Sequence, residues 1–283
     1  MTKIKKLIIA VLLLLTGFMV LVFFEATNFS VNRLKVREEH IVDKQIPETA
    51  NPFKLAYFSD LHYNLFMNQE KLDRLVKKIN EQAVDVVLFG GDLISDLEQH
   101  PLSSQKQSDL IQALGQINAP LGKFAILGEG DLETEFAKTL ASSILTKSNF
   151  EILDNQDLVI VDEKENEVLR LFGINQQGNP DTLKQTSTDF ENDQYTILLA
   201  HKASQLSLVD NSKVDLVLAG HTHGGQINLP FLRDRYVGLE IYSKPTQIKD
   251  STRIDISNGV SQKIKNMRLL ADPQISIYSF QNK

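Results

Sequence analysis

The 283-residue chain has no cysteine. That absence excludes disulfides, thiolate metal sites, a cysteine nucleophile and attachment through an acylated cysteine. Basic excess is also missing: 30 Lys and Arg stand against 36 Asp and Glu, a formal charge of −6. Proteins that neutralise nucleic-acid phosphates carry basic surfaces, so no nucleic-acid partner is expected. Phosphorylated small molecules stay open, because bound metal ions can bring positive charge locally. There is no Gly-x-Ser-x-Gly elbow, which argues against a serine hydrolase, and no Gly-x₄-Gly-Lys loop, which argues against a P-loop enzyme. Internal repeats and low-complexity tracts are absent too.

What is present begins with a membrane-type segment. Lys3, Lys5 and Lys6 precede an apolar run from Leu7 to Phe24, and the next charge is Glu25. A helix of roughly 18 residues, rising about 1.5 Å per residue, nearly spans a hydrocarbon core of about 30 Å. Positive charge before the run places the N-terminus inside and the remainder outside. Phe24-Glu25-Ala26-Thr27 is a poor cleavage site, so an anchor over 1–28 is expected to stay attached to a domain over 29–283. No paired arginines precede the run, as a twin-arginine signal would require.

Beyond it, Leu34 to Val36 reads as a strand. The short apolar runs Leu55–Phe58, Val84–Phe89 and Phe124–Leu127 read as buried strands. Helical spacing appears at Leu72, Leu75, Val76 and Ile79, with Asn68 as cap, and again at Leu110, Ile111, Leu114 and Ile117. Phe136, Leu140 and Ile144 mark a further helix. Strand–helix alternation implies parallel strands with helices packed on the sheet. The second half is richer in strands: Leu158–Val161 and Val168–Phe172 as a hairpin, then Tyr195–Ala200, Val214–Ala219, Ile227–Leu229, Arg253–Ile256 and Ile275–Phe280. The expected fold is a two-sheet α/β/β/α sandwich after one transmembrane helix.

The strand ends carry the chemistry. The first closes on Asp60-Leu61-His62, where extended backbone would turn both side chains to one side. The second closes on Gly90-Gly91-Asp92 and the third on Gly128-Glu129-Gly130-Asp131. Later strands close on His201 and on Gly220-His221-Thr222-His223-Gly224-Gly225. Ligands of open α/β sheets sit beyond the carboxyl ends of strands, so five such ends bearing Asp and His point to a metal centre. Of six histidines, only His40 and His100 lie elsewhere.

In this order the blocks resemble those of the calcineurin-like metallophosphoesterases. The likeness runs from about Leu34 to Phe280. It is strongest toward the membrane-associated or exported subgroup that includes homologues acting on UDP-diacylglucosamine-type lipids; Gly224-Gly225-Gln226-Ile227 and Ile256-Ser257-Asn258-Gly259-Val260 fit that subgroup. The resemblance implies a metal-dependent phosphoric ester hydrolase that cleaves a phosphodiester or pyrophosphate. Asp60, His62 and His223 would hold a first divalent ion, Asp92 would bridge, and His201 and His221 would hold a second. A water or hydroxide between the ions would attack phosphorus, with Asp92 and His221 the catalytic positions. Mixed carboxylate and imidazole ligands suit Mn²⁺, Fe or Zn²⁺, with Mn²⁺ favoured. The implied substrate is a phosphorylated small molecule or lipid headgroup at the outer membrane face.

One block departs. The family's Gly-Asn-His reads Gly128-Glu129-Gly130 here. Glu129 could take the place of the Asn ligand to the second ion, but Gly130 cannot replace a histidine that meets the phosphate. Loss of such a group costs on the order of 10²–10⁴ in rate. His100 is a candidate substitute. The alternative function is a catalytically weakened protein of the same fold that binds metal or a phospholigand.

Overall fold

The computed structural model describes residues 2–50, 53–162, 164–175, 177–191, 193–229, 246–249, 252–263 and 265–283. Helix α1, Lys3–Phe24, is apolar on every side, and none of its residues is buried. It continues through wider and tighter turns to Asn32, and the Lys3–Asn32 segment contains an 18-residue stretch of mean hydropathy 3.1, long and apolar enough to cross a membrane. Its far end docks on the rest of the chain. Arg268 N–H donates to the Ala26 carbonyl at 2.8 Å, and the Ser30 hydroxyl donates to Asp272 at 2.5 Å.

Strands β1 (Lys35–Val42), β2 (Phe53–Phe58), β3 (Val86–Phe89), β4 (Lys123–Ala125) and β5 (Glu151–Ile152) alternate with helices α2 (Gln69–Asn80), α3 (Ser104–Gly115) and α4 (Glu135–Lys147). Then follow β6 (Gln156–Val161), β7 (Glu167–Ile174), α5 (Pro180–Thr188), β8 (Thr196–Ala200), β9 (Leu216–Ala219), β10 (Thr246–Lys249), β11 (Thr252–Ile256) and β12 (Gln274–Gln281). They form two six-stranded sheets, ordered β1-β12-β2-β3-β4-β5 and β10-β11-β9-β8-β7-β6. The β2–β5 and β7–β9 ladders are parallel, while β12 runs antiparallel to β2 and β6 runs antiparallel to β7.

Period-two alternation builds the layers. Leu55, Tyr57, Val86 and Leu88 face Leu169, Leu171, Ile197 and Leu216 between the sheets. Ala56, Phe58, Val87 and Phe89 turn the other way, onto α2, α3 and α4. Leu198, Val217 and Ile254 pack under α5. This is the expected α/β/β/α sandwich. Leu72, Leu75, Val76 and Ile79 are buried along α2, and Asn68 Oδ1 accepts from Lys71 N–H at 3.0 Å as its cap.

Four local expectations change. The β1 strand runs to Val42 instead of stopping at Val36; as an edge strand it tolerates the polar sequence KVREEHIV. Phe136 lies on the outer face of α4 at 67% exposure, because Ala137 and Ala141 give the sheet its close-packed stripe. Residues 227–229 do not form a strand; Ile227 makes one isolated bridge to Leu269. Helix α5 was not anticipated, although Asn179 caps it and Pro180 opens it.

Candidate metal centre

The chemistry-bearing residues sit just past the carboxyl ends of β2, β3, β8 and β9. Asp60, His62, Asp92, His221 and His223 all have positive φ, at 59°, 41°, 59°, 66° and 52°. Their convergence therefore comes from left-handed turns, not from the extended alternation expected for Asp60 and His62. Non-glycine residues in that region cost of order 1–3 kcal/mol each and persist where surrounding contacts enforce them. The contacts are visible. Asp60 N–H donates to the Gly91 carbonyl at 2.9 Å, and His62 N–H donates to the Asp92 carbonyl at 3.0 Å. The His221 N–H donates to Asp60 Oδ1 at 3.0 Å, and Ser59 Oγ donates to Asp60 Oδ2 at 2.6 Å.

Two ligand groups result. Asp60, His62 and His223 bring one ligand atom each within 4.8 Å of one another, and so do Asp60, Asp92 and His201. All five side chains are buried. Asp92 Oδ2 lies 3.6 Å from His62 Nε2 and 3.4 Å from His201 Nε2, so it stands between the groups. His201 Nδ1 donates to the Gly90 carbonyl at 2.8 Å and His223 Nδ1 to the Ser261 carbonyl at 2.9 Å. Those bonds fix the rings and aim each Nε2 inward, which is how metal-binding imidazoles are held. His62 Nδ1 is paired with Ser95 Oγ at 3.0 Å.

The electrostatics fit the same reading. Burial drives His62 and His223 down to about 3, leaving both neutral at pH 7. For His201, burial pulls down, but the Asp92 carboxylate overrides it and holds the ring up to about 9. Asp92 is held well below the usual carboxylate range by His201 and His62, against the opposing effect of burial. Asp92 Oδ2 and His201 Nε2 are buried with no hydrogen-bond partner. An orphaned carboxylate oxygen facing imidazole nitrogens at this spacing fits a pair of divalent cations.

His221 and Glu129 fall outside both groups. Glu129, 48% exposed, pairs with Lys202 at 3.4 Å and His221 Nδ1 at 3.6 Å. The His221 ring adjoins that of His201, with centroids 5.3 Å apart, and burial lowers it to about 4. Gly130 N–H donates to Asp92 Oδ1 at 2.7 Å. A β-carbon at 130 would lie 2.6 Å from the Ile94 carbonyl oxygen and 2.9 Å from Ser95 Cβ. The loop has closed around this glycine. His100 pairs with Asp96 at 4.0 Å and does not line the adjoining cavity.

Three residues escaped the sequence reading. Lys263 reaches 3.9 Å from Asp92 Oδ2 and, with Ser95, Glu129, Gly130 and Gln177, lines a cavity of about 510 Å³ beside the ligands. Lys202, next to His201, holds Glu129. Arg268 is fully buried, and its guanidinium donates to the carbonyls of His223, Asn258, Ser261 and Ala271. No local motif marks any of them; adjacency of Lys202 to His201 was the only available hint.

The Calcineurin-like phosphoesterase family model matches residues 53–225. An uncharacterized metallophosphoesterase, YkuE of Bacillus subtilis, is 29% identical over 88% of this chain and 86% of its own length. Phosphodiesterase YaeI of Escherichia coli is 28% identical over 68% of each chain. A transmembrane protein with metallophosphoesterase domain from Bos taurus is 25% identical over 82% of this chain, which spans 54% of that longer protein. The matched segment holds Asp60, His62, Asp92, His201, His221 and His223 together, and the chain belongs to the calcineurin-like phosphoesterase family.

Proposed function

We propose that the protein is a membrane-anchored phosphodiesterase or pyrophosphatase that uses two divalent ions, with Mn²⁺ favoured. The observation that carries this reading is Asp92 Oδ2, buried between His62 and His201 with no hydrogen-bond partner. Asp60, His62 and His223 would hold one ion; Asp92 and His201 would hold the other, with His221 and Glu129 close enough to join them. Ions bound there supply Lewis-acid charge to a phosphoryl oxygen and lower the pKa of water.

The chain's own residues do the rest. Gly130 N–H and the two imidazoles fix the direction of Asp92. Lys263 meets a non-bridging phosphate oxygen in the adjoining cavity, supplying charge where the family's histidine is missing. It does not replace a proton donor, so substrates with good leaving groups are favoured. The α1 segment and the transmembrane relatives support a membrane location. An outer-face lipid headgroup, such as the UDP-diacylglucosamine-type lipids of the resembling subgroup, suits a site tethered this closely. The alternative, a weakened protein that binds phospholigands without turnover, is favoured by the closed loop at Gly130.

The test uses the full chain in uncharged detergent, loaded with Mn²⁺, with an activated aryl phosphodiester as substrate. Hydrolysis by wild type that Asp92→Asn abolishes supports the enzyme. An inert wild type that retains two ions and binds a non-hydrolysable phosphodiester supports the binding protein.

A further inference from the structure

A second concave site lies at the root of the anchor. It is a groove of about 360 Å³, and its rim carries Arg33, Lys71, Arg74, Lys77 and Lys78 against one acid, Glu81. Its floor is apolar, built in part from Leu34, Met67, Val260 and Pro273. Three of the five cations are already engaged. Arg33 pairs with Glu25 at 2.6 Å and Asp272 at 3.3 Å; Lys77 lies 3.9 Å from Glu81; Lys71 Nζ donates to the Phe66 carbonyl at 3.2 Å. Among the described residues, no carboxylate pairs with Arg74 or Lys78.

The position matters as much as the charge. Lining residues Val31 to Leu34 follow the apolar run by about seven to ten residues. In helical backbone that is roughly 10–15 Å, at or just beyond the outer edge of a headgroup layer about 5–8 Å deep. Phe29 and Leu270, exposed at 57% and 62%, flank the same junction and would meet the bilayer. The groove is separate from the metal centre. The segments 62–67 and 260–263 run between the two, with Met67 and Val260 on the groove side and Leu65 and Lys263 on the other.

We propose that this groove holds the headgroup of an anionic phospholipid from the membrane that α1 crosses. The lipid phosphate sits between Arg74 and Lys78, and the headgroup beyond it enters the groove. Cations near a bilayer surface attract anionic lipid, and the apolar floor lets the Arg and Lys stems lie against it while their charged ends reach the phosphate. The lipid is not the substrate; it fixes the domain's tilt on the surface. The proposal rests on α1 being a membrane span.

The full chain is reconstituted into nanodiscs of equimolar phosphatidylcholine and phosphatidylglycerol, released, and its retained lipids are counted by native mass spectrometry. Phosphatidylglycerol should be retained in clear excess. Arg74→Gln with Lys78→Gln should reduce that preference roughly thirtyfold. Exchanging the two residues as Arg74→Lys with Lys78→Arg should keep it, and so should Lys147→Gln with Lys184→Gln, which removes equal charge far from the groove. Equal retention of both lipids by wild type, or equal loss in the distant variant, overturns the groove. Failure of the chain to incorporate at all overturns the membrane span, and the groove with it.

Discussion

Asp92 is gripped from three directions, by His62, by His201 and by the Gly130 N–H. Asp92→Asn keeps the shape but removes the charge shared by both ligand groups. Bound metal should fall by at least one ion per chain on elemental analysis, and diester hydrolysis by on the order of 10²-fold or more. Gly130→His, which would introduce the histidine that the resemblance implies, should fail to raise activity. Its β-carbon meets backbone at Ile94, and forcing it in should cost about 1–3 kcal/mol in a urea melt. Aspartates and histidines among glycines at strand ends were legible in the sequence, because they have no packing role there. Their backbone was not: the spacing of Asp60 and His62 suggested an extended pair, and only tertiary contacts hold each in a left-handed turn. Lys263 and Arg268 lie in a segment with no periodicity, so nothing local predicted that they meet Asp92 and the His223 carbonyl.

The junction between α1 and the sandwich hangs on Asp272, which accepts from Ser30 and pairs with Lys35 at 2.7 Å and Arg33 at 3.3 Å. Burial opposes ionisation, but Lys35 and Ser30 hold the carboxyl below its usual 3.8. A depressed folded pKa means the stabilising contribution is complete above 3.8 and disappears as pH falls through the folded value. Proteolysis between Phe29 and Arg33 should therefore accelerate in that acidic range, and Asp272→Asn should be cut faster at neutral pH with little further change on acidification. Helix α2 was legible residue by residue, because its apolar stripe and cap agree. Helix α4 was legible as a helix, with Ile144 on its buried face, but Phe136 drew attention from the alanines that also face the sheet. The full length of β1 was not legible because its charges find partners far along the chain: Arg37 reaches Asp255 on β11 and Ser276 and Tyr278 on β12, and Glu39 pairs with Arg253.

On the scale of the molecule, the metal centre joins the ends of strands from both sheets. Ions bound there would tie those ends together; without them only the Asp92–His201 contact at 3.4 Å links Asp92 to the second sheet's His201. Chelation should lower the melting temperature measured by calorimetry, by the linkage energy of about 2.7 kcal/mol for an ion present at 100 times its Kd. Asp92→Asn should melt lower and respond less to the chelator.

The last strand, β12, is not at an edge; it lies between β1 and β2 in the first sheet. Among the described residues, β1 therefore finds its ladder partner in residues 274–281, which are synthesised more than 200 residues after it. Until the ribosome has delivered them, β1 and β2 have no common neighbour, and the sheet cannot close. Premature termination near residue 270 would thus leave β1 and β2 without the strand between them, a ready target for proteolytic quality control.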